Sequence, residues 1–499
     1  MKKLAKTKKV FKNPKFILIL ILLLGLFFRT YNALEYFQYG HDQDLAGWFV
    51  RDVVENKHLR LIGQETSTQG IFIGPLYYYM LVPFYMLFGM DPVGGVVMIT
   101  LLGMFSVFSV YYVFRKIFHE KEGLIASYIY ALSFYTIFND REVVPTMPVV
   151  LWTIWYFYAL NLILAGKNKK GVLLFGILIG LIWHLNVTLV LLLPLIPVSL
   201  WLSKSRLKLK EIYPGSIAAL LLTLPLIAFE FRHEFPQVKG FIVSITTHQS
   251  ALISGWEKFL RVIHLLSKNL SGLFWGSFQE VSFEATLVII LAVFIYLVIK
   301  KLVNKNHAIL LSLWLVLYVI FFSLYSKILS EYYLNGTIFI WIFIATIGIS
   351  YVLSVSKLKN FGIGLLVFFT MVNIDKFISL ELPKNGYLYR KAIVAEIKRD
   401  ANVNKFPCVA ISYITEPGYE LGYRYFFYLE EMHVNHPESG SPVYTIVFPL
   451  NDELFPTNKN FGHIGLIYPD YSVYNMQDIV KSCSGENPNI TEPMWGMPI

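Results

Sequence analysis

The residues best suited to chemistry lie early in the chain, in Gly40-His41-Asp42-Gln43-Asp44. Two carboxylates at this spacing should repel, which raises one pKa toward neutrality. Such a pair suits a general base, or two ligands for a divalent cation. Helix capping competes with that reading. Asp42, or with more force Asp44, would cap the amphipathic stretch 45–55, and the spacing leaves both roles open. Arg51 and Asp52 on that stretch suit a solvated face.

Further polar residues follow. Glu65 belongs to a polar segment, 64–70, that runs into Ile73-Gly74-Pro75-Leu76-Tyr77 and would close over a substrate headgroup or simply connect two elements. Asn139-Asp140-Arg141-Glu142, then His184 with Asn186, then Glu331 with Tyr332, add polar groups beside apolar runs. Arg141 is the first candidate for a phosphate, because a guanidinium can pair with it bidentately. Lys327 is the second. A lone histidine at a helix end is more often a packing residue than a ligand, so these positions gain meaning only by converging on one cavity. Glu65, Tyr77, Arg141, His184, Asn186, Lys327, Glu331 and Tyr332 are the substrate-binding candidates. Asp42, Asp44, Glu65 and His184 are the donors from which a cation site could be assembled. No ligand spacing demands a metal, and no cofactor is required.

What must position these residues is a membrane bundle. Of 499 residues, 56% are hydrophobic and only 15% charged, against about 25% charged in soluble domains. Apolar runs of about 20 residues recur, each able to cross about 30 Å of hydrocarbon. Eleven spans are expected, at 16–34, 92–114, 124–139, 146–165, 171–187, 188–203, 214–231, 284–300, 308–326, 333–353 and 360–378. The basic start of the chain resembles a signal peptide, but no small-residue cleavage site follows, so 16–34 reads as a retained span. Short basic clusters punctuate the spans. They account for the net charge of +10 through the positive-inside rule and need no nucleic acid.

A twelfth apolar stretch, 71–89, breaks the parity of those clusters if it crosses. Left uncrossed, every basic cluster faces the cytoplasm. The stretch therefore reads as a helix at the outer interface, where its tyrosines suit the headgroup zone. The N-terminus is then cytoplasmic. The loops 35–89, 139–145, 232–284 and 326–332 lie outside, and so does 379–499. That last segment is more polar, with helix signals at 388–401 and 419–431 and strand-like runs at 408–414, 443–448 and 464–468, the pattern of a small α/β domain. Cys408 and Cys483 both fall in it, either as an extracytoplasmic disulfide or with Cys408 as an inert core thiol. The expected fold is thus an all-α polytopic bundle, residues 1–378, with outer juxtamembrane helices and a small extracytoplasmic α/β domain, 379–499. No repeat of fixed period is visible.

A first span, an outer loop opening with an acidic motif and a Gly-Pro-Leu-Tyr stretch at an interfacial helix resemble the C-type glycosyltransferases. The similarity is to glycosyltransferase family 39, the protein O-mannosyltransferases and aminoarabinose transferases. Asp42 takes the place of the family's catalytic aspartate. Gln43 stands where the family has Glu, and Ile73-Gly74-Pro75-Leu76 where it has Lys-Pro-Pro-Leu. Glu331-Tyr332-Tyr333 looks like a late-span motif of some bacterial relatives. The resemblance implies a polyprenyl-phosphate sugar donor, a lipid, glycan or protein acceptor, and inverting transfer with Asp42 as general base in the plasma membrane. A transporter or flippase of a lipid-linked saccharide is the competing reading. Charges at the ends of spans rather than at mid-membrane favour the enzyme.

Overall fold

The computed structural model describes residues 13–66, 68–246, 255–275, 282–325, 329–451 and 453–497. Each expected span is helical. They are α1 (Pro14–Thr30), α4 (Val93–Ile117), α5 (Glu120–Leu132) with α6 (Phe134–Asn139), α7 (Val149–Leu164), α8 (Asn168–Leu185), α9 (Leu195–Ser203), α10 (Leu209–Arg232), α13 (Phe283–Ile299), α14 (Lys305–Leu324), α15 (Ile338–Ser354) and α16 (Lys359–Ser379). Between them lie α2 (His41–Val54), α3 (Leu76–Leu87), α11 (Pro236–Thr246) and α12 (Gly255–Trp275). Six described helical stretches are long and apolar enough to cross a membrane by length and composition.

Local sequence explains where continuous spans fail. The segment 124–139 is broken at Ser133, which is extended and caps both neighbours. The segment 188–203 opens as a 3-10 stretch, Val187–Leu192, before Pro194 starts α9. Glu331–Thr337 is likewise 3-10 and leads into α15. The 12 residues of α3 make a rod of about 18 Å, too short for about 30 Å of hydrocarbon. That length fits an interfacial helix.

Two hydrophobic cores divide the chain. One fills the bundle, with Trp314, Trp341, Tyr156 and Phe339 fully buried at its centre. The other is shared between the first loop and the end of the chain. Phe37, Tyr39, Trp48, Phe49, Tyr77, Tyr78 and Tyr85 pack with Tyr387, Tyr425, Phe426 and Tyr444. Phe37 stacks on Tyr387 with ring centroids 5.4 Å apart. At Gly47 a Cβ would lie 2.7 Å from the Tyr425 ring, so glycine there lets α2 and the C-terminal segment meet.

The C-terminal segment holds α17 (Tyr387–Val403), β1 (Val409–Thr415), α18 (Arg424–Leu429), β2 (Val434–Asn435), β3 (Val443–Phe448), β4 (Lys459–Phe461), β5 (Ile464–Ile467), α19 (Met476–Ser482) and α20 (Pro488–Thr491). The sheet order is β2-β1-β3-β5-β4. β1 runs parallel to β2 and β3, while β5 is antiparallel to β3 and β4. The expected helix 419–431 shrinks to α18. Gly422 takes φ +92°, a value that ends regular helix on its N-terminal side. Cys408 and Cys483 form a disulfide with Cα atoms 5.5 Å apart, which decides between the two readings of Cys408.

Candidate active site

The helix α2 begins at His41, with Gly40 at the N-cap position. Neither aspartate is therefore the cap, which corrects the capping alternative. Gln43 closes this helix start, its Oε1 accepting the Gly40 N–H at 2.9 Å. Its other end, Nε2, donates to the Val143 carbonyl at 3.2 Å. A glutamate could not make both bonds while ionised, which accounts for glutamine here.

The two aspartates diverge, two residues apart on a helical turn. Asp42 is exposed, and its Oδ1 accepts from Gln64 Nε2 at 3.0 Å. Asp44 is fully buried. Its Oδ1 accepts the Tyr425 N–H at 3.1 Å and the Tyr39 hydroxyl at 3.3 Å. Burial pushes the Asp44 carboxyl up to about 6, against the lowering effect of those hydrogen bonds. The expectation of a mutually repelling pair is thus corrected: desolvation raises one acid, and Asp44 faces the C-terminal segment rather than a substrate.

Glu65 forms a bridge with Phe72, and its Oε1 accepts the Gly70 N–H at 2.5 Å. The Gly74-Pro75 step follows from packing on α8. A Cβ at Gly74 would sit 2.2 Å from His184 Nδ1. That nitrogen accepts the Leu76 N–H at 3.2 Å, while Nε2 donates to the Leu222 carbonyl at 2.7 Å. With both ring nitrogens engaged, His184 docks α3 onto the bundle, which corrects its assignment to substrate. Asn186 caps the 3-10 stretch, accepting from the Thr188 N–H and hydroxyl. Tyr77 is buried below Asp42, whose charge it feels, and its hydroxyl has no partner among the described residues.

The loop after α6 carries a second acid. Arg29 and Asp140 form a buried ion pair at 2.6 Å, joined by the Tyr130 hydroxyl at 3.0 Å. Arg141 turns its guanidinium to the Phe28 and Tyr31 carbonyls, at the end of α1, and lies between the Tyr36 and Phe377 rings. It is a cap for α1, which corrects its role as the leading phosphate ligand. Glu142 is the residue the sequence reading passed over. It follows Arg141 in the loop, and desolvation pushes its carboxyl up to about 7. The Gln43–Val143 bond joins the chain at Asp42 to the chain at Glu142.

A chain of hydrogen bonds leads onward from this loop. Asn139 accepts from Asn335, which accepts from the Tyr135 hydroxyl. The Tyr135 hydroxyl lies within electrostatic reach of both Glu142 and Glu331. Glu331 pairs with Lys268 at 2.6 Å, and its carbonyl accepts from Asn269. Lys268 shares one exposed stripe of α12 with Arg261 and His264. This i, i+3, i+7 spacing of cationic residues was the available signal for Lys268. Tyr332 packs on Tyr333. Lys327 lies outside the described residues. The four donors suggested for a cation do not converge, since Asp44 and His184 point elsewhere, and among the described residues no three such groups could hold a metal.

The chain was compared with known families and solved structures. Residues 73–229 match the family profile described as dolichyl-phosphate-mannose-protein mannosyltransferase. No curated protein matches the sequence significantly. Among solved structures, ArnT from Cupriavidus metallidurans bound to undecaprenyl phosphate superposes with a TM-score of 0.58 at 10% identity, over 92% of this chain and 98% of that one. The same enzyme in the apo state gives 0.59 at 10% identity, with the same coverage of both chains. The Archaeoglobus fulgidus oligosaccharyltransferase in complex with Zn and sulfate gives 0.50 at 12% identity, over 86% of this chain and 67% of that one. At these identities the likeness is one of fold. The profile match, over 73–229, is to about a third of the chain and falls on the segment that runs from the Gly74-Pro75 step through α10.

Proposed function

We propose that the protein transfers a sugar from a polyprenyl-phosphate donor to an acceptor hydroxyl at the outer face of the plasma membrane. The observation that carries this reading is the exposed carboxylate of Asp42, held by Gln64 and tied through the Gln43–Val143 bond to the loop that carries Glu142. Asp42 takes the acceptor proton, and the acceptor oxygen bonds to the anomeric carbon. The anomeric C–O bond to phosphate breaks, its electron pair leaving with the lipid phosphate and the configuration inverting. Lys268 supplies positive charge for the departing phosphate. Glu142, protonated in part near neutral pH, donates to a phosphate oxygen where a fully ionised carboxylate would repel it.

The outer side follows from reading the basic clusters as cytoplasmic with 71–89 uncrossed, and a disulfide in 379–499 supports it, since such bonds persist in oxidising compartments. The assay is run with and without chelator, which reads any dependence on a divalent cation. The decisive experiment follows release of polyprenyl phosphate by purified protein. Asp42→Asn should abolish release while the protein still inserts and binds the donor. Full turnover in that variant removes Asp42 from the role of base.

A further inference from the structure

The tail of the chain reaches this site from the far end of the sequence. The Trp495 carbonyl accepts from His41 Nε2 at 2.9 Å. The next carbonyl, of Gly496, accepts the Glu65 N–H at 2.9 Å. His41 adjoins Asp42 and Glu65 adjoins Gln64, so two consecutive carbonyls tie the two strands of chain that the Asp42–Gln64 bond joins. Gly496 takes φ +75°, a conformation that favours glycine and turns the tail here.

The indole of Trp495 stacks on His41, with centroids 5.3 Å apart and planes 24° off parallel. One face is thereby covered, yet the residue is 75% exposed. Its surroundings are polar and acidic: Asp42, Gln64 and Glu65 adjoin the contacts just described, and Glu420 lies within electrostatic reach of His41. A large apolar face left in water is stabilised when a ligand covers it. An acyl chain there would desolvate carboxylates, which is costly. A saccharide ring instead offers a face of C–H groups for the indole and a rim of hydroxyls for the acids.

We propose that Trp495 is the acceptor platform of this enzyme: its free indole face carries an uncharged saccharide ring and so brings one of that ring's hydroxyls to Asp42. The inference rests on the transferase reading above and names the acceptor class within it. The tail carbonyls fix the height of the platform relative to the base.

The test uses the full-length protein in nanodiscs, with a short-chain prenyl-phosphate mannose as donor and neutral mono- and disaccharides as acceptors. Trp495→Ala should raise the acceptor KM about tenfold, with a smaller loss of kcat, and Trp495→Phe should recover most of it. Trp201→Ala, at a tryptophan of matching exposure (74%) on α9, should leave the acceptor KM unmoved. Saturation-transfer NMR of the same saccharides without donor reads binding directly. Signal in the wild type and the Phe variant but not in the Ala variant supports the platform even if no donor turns over. Failure of the wild type to consume any donor overturns the transferase reading instead. An unmoved acceptor KM in Trp495→Ala, or a fall in kcat alone, overturns the platform. So does quenching by brominated lipid that disappears in that variant, which would mark Trp495 as a bilayer anchor.

Discussion

Gln43 donates its amide to the carbonyl of Val143 across 3.2 Å, and that bond ties the residue after Asp42 to the residue after Glu142. The same side chain closes the start of α2 through Gly40. Gln43→Glu keeps the acceptor and loses the donor, leaving a carboxylate against a carbonyl. The expected cost is about 1–3 kcal/mol, seen as a lower Tm together with reduced turnover. Protonation gives the acid a donor, so both defects should shrink as pH falls. A defect that does not change with pH would mean that the Val143 contact is not what the substitution disturbs.

Asp44 holds α2 to α18. Its folded-state pKa of about 6 stands above the ordinary carboxylate value of 3.8. Its contribution to stability is then complete below about pH 4 and is lost as pH rises to about 6, by about 3 kcal/mol in all. Asp44→Asn preserves the acceptor for the Tyr425 N–H and removes the titration. Thermal melts of the wild type should fall across that window, whereas melts of the variant should stay flat. Turnover in Asp44→Asn should remain well above that of Asp42→Asn; equal losses would return Asp44 to the chemistry.

Gly74 and His184 are matched by shape. Gly74→Ala drives a methyl into the imidazole, 2.2 Å from Nδ1, and should destabilise by about 1–3 kcal/mol. His184→Ala in the same background makes room and should return part of that loss, a coupling of about 1 kcal/mol or more in a double-mutant cycle. Additive effects would show that the two residues do not meet.

The Arg29–Asp140 pair is dry, with both side chains fully buried. Removing either partner strands a buried charge, and Asp140→Asn or Arg29→Met should each cost about 3–5 kcal/mol. The double substitution Arg29→Met with Asp140→Leu should be milder than either alone. Melting temperature in detergent, measured for all three, checks the order.

How much of this was legible in the sequence differs by level. Apolar run length is a local property, so every expected span emerged as helix, and β3 coincided with its predicted run at 443–448. The helix in 71–89 was legible too, and its 12 residues, Leu76–Leu87, are as short as the charge parity asks. Orientation of side chains was not. Asp42 and Asp44 look alike in sequence, and only the contact with Tyr425, 381 residues away, turns one inward. Arg141 and His184 were read as ligands because a lone polar residue carries no mark of the backbone groups it will satisfy. Glu142 was overlooked because desolvation, which raises its carboxyl, comes from packing that the sequence does not display. The shared core of first loop and C-terminal segment was equally hidden, since alternating aromatics at 36–49 and 423–428 do not announce their partner.

That shared core sets the order in which the protein can become active. During synthesis the loop bearing Asp42 leaves the ribosome hundreds of residues before the aromatic residues that bury its inner face. Until they arrive, Phe37, Tyr39 and Trp48 lack the rings they pack against, Tyr387, Phe426 and Tyr425. The reactive loop is therefore finished last although it is made first. A polypeptide halted anywhere in the bundle inserts its helices but exposes a sticky aromatic patch that proteases and chaperones can recognise. The loop bearing Asp42 thus completes its packing only once the segment holding Tyr387, Tyr425 and Phe426 has reached it.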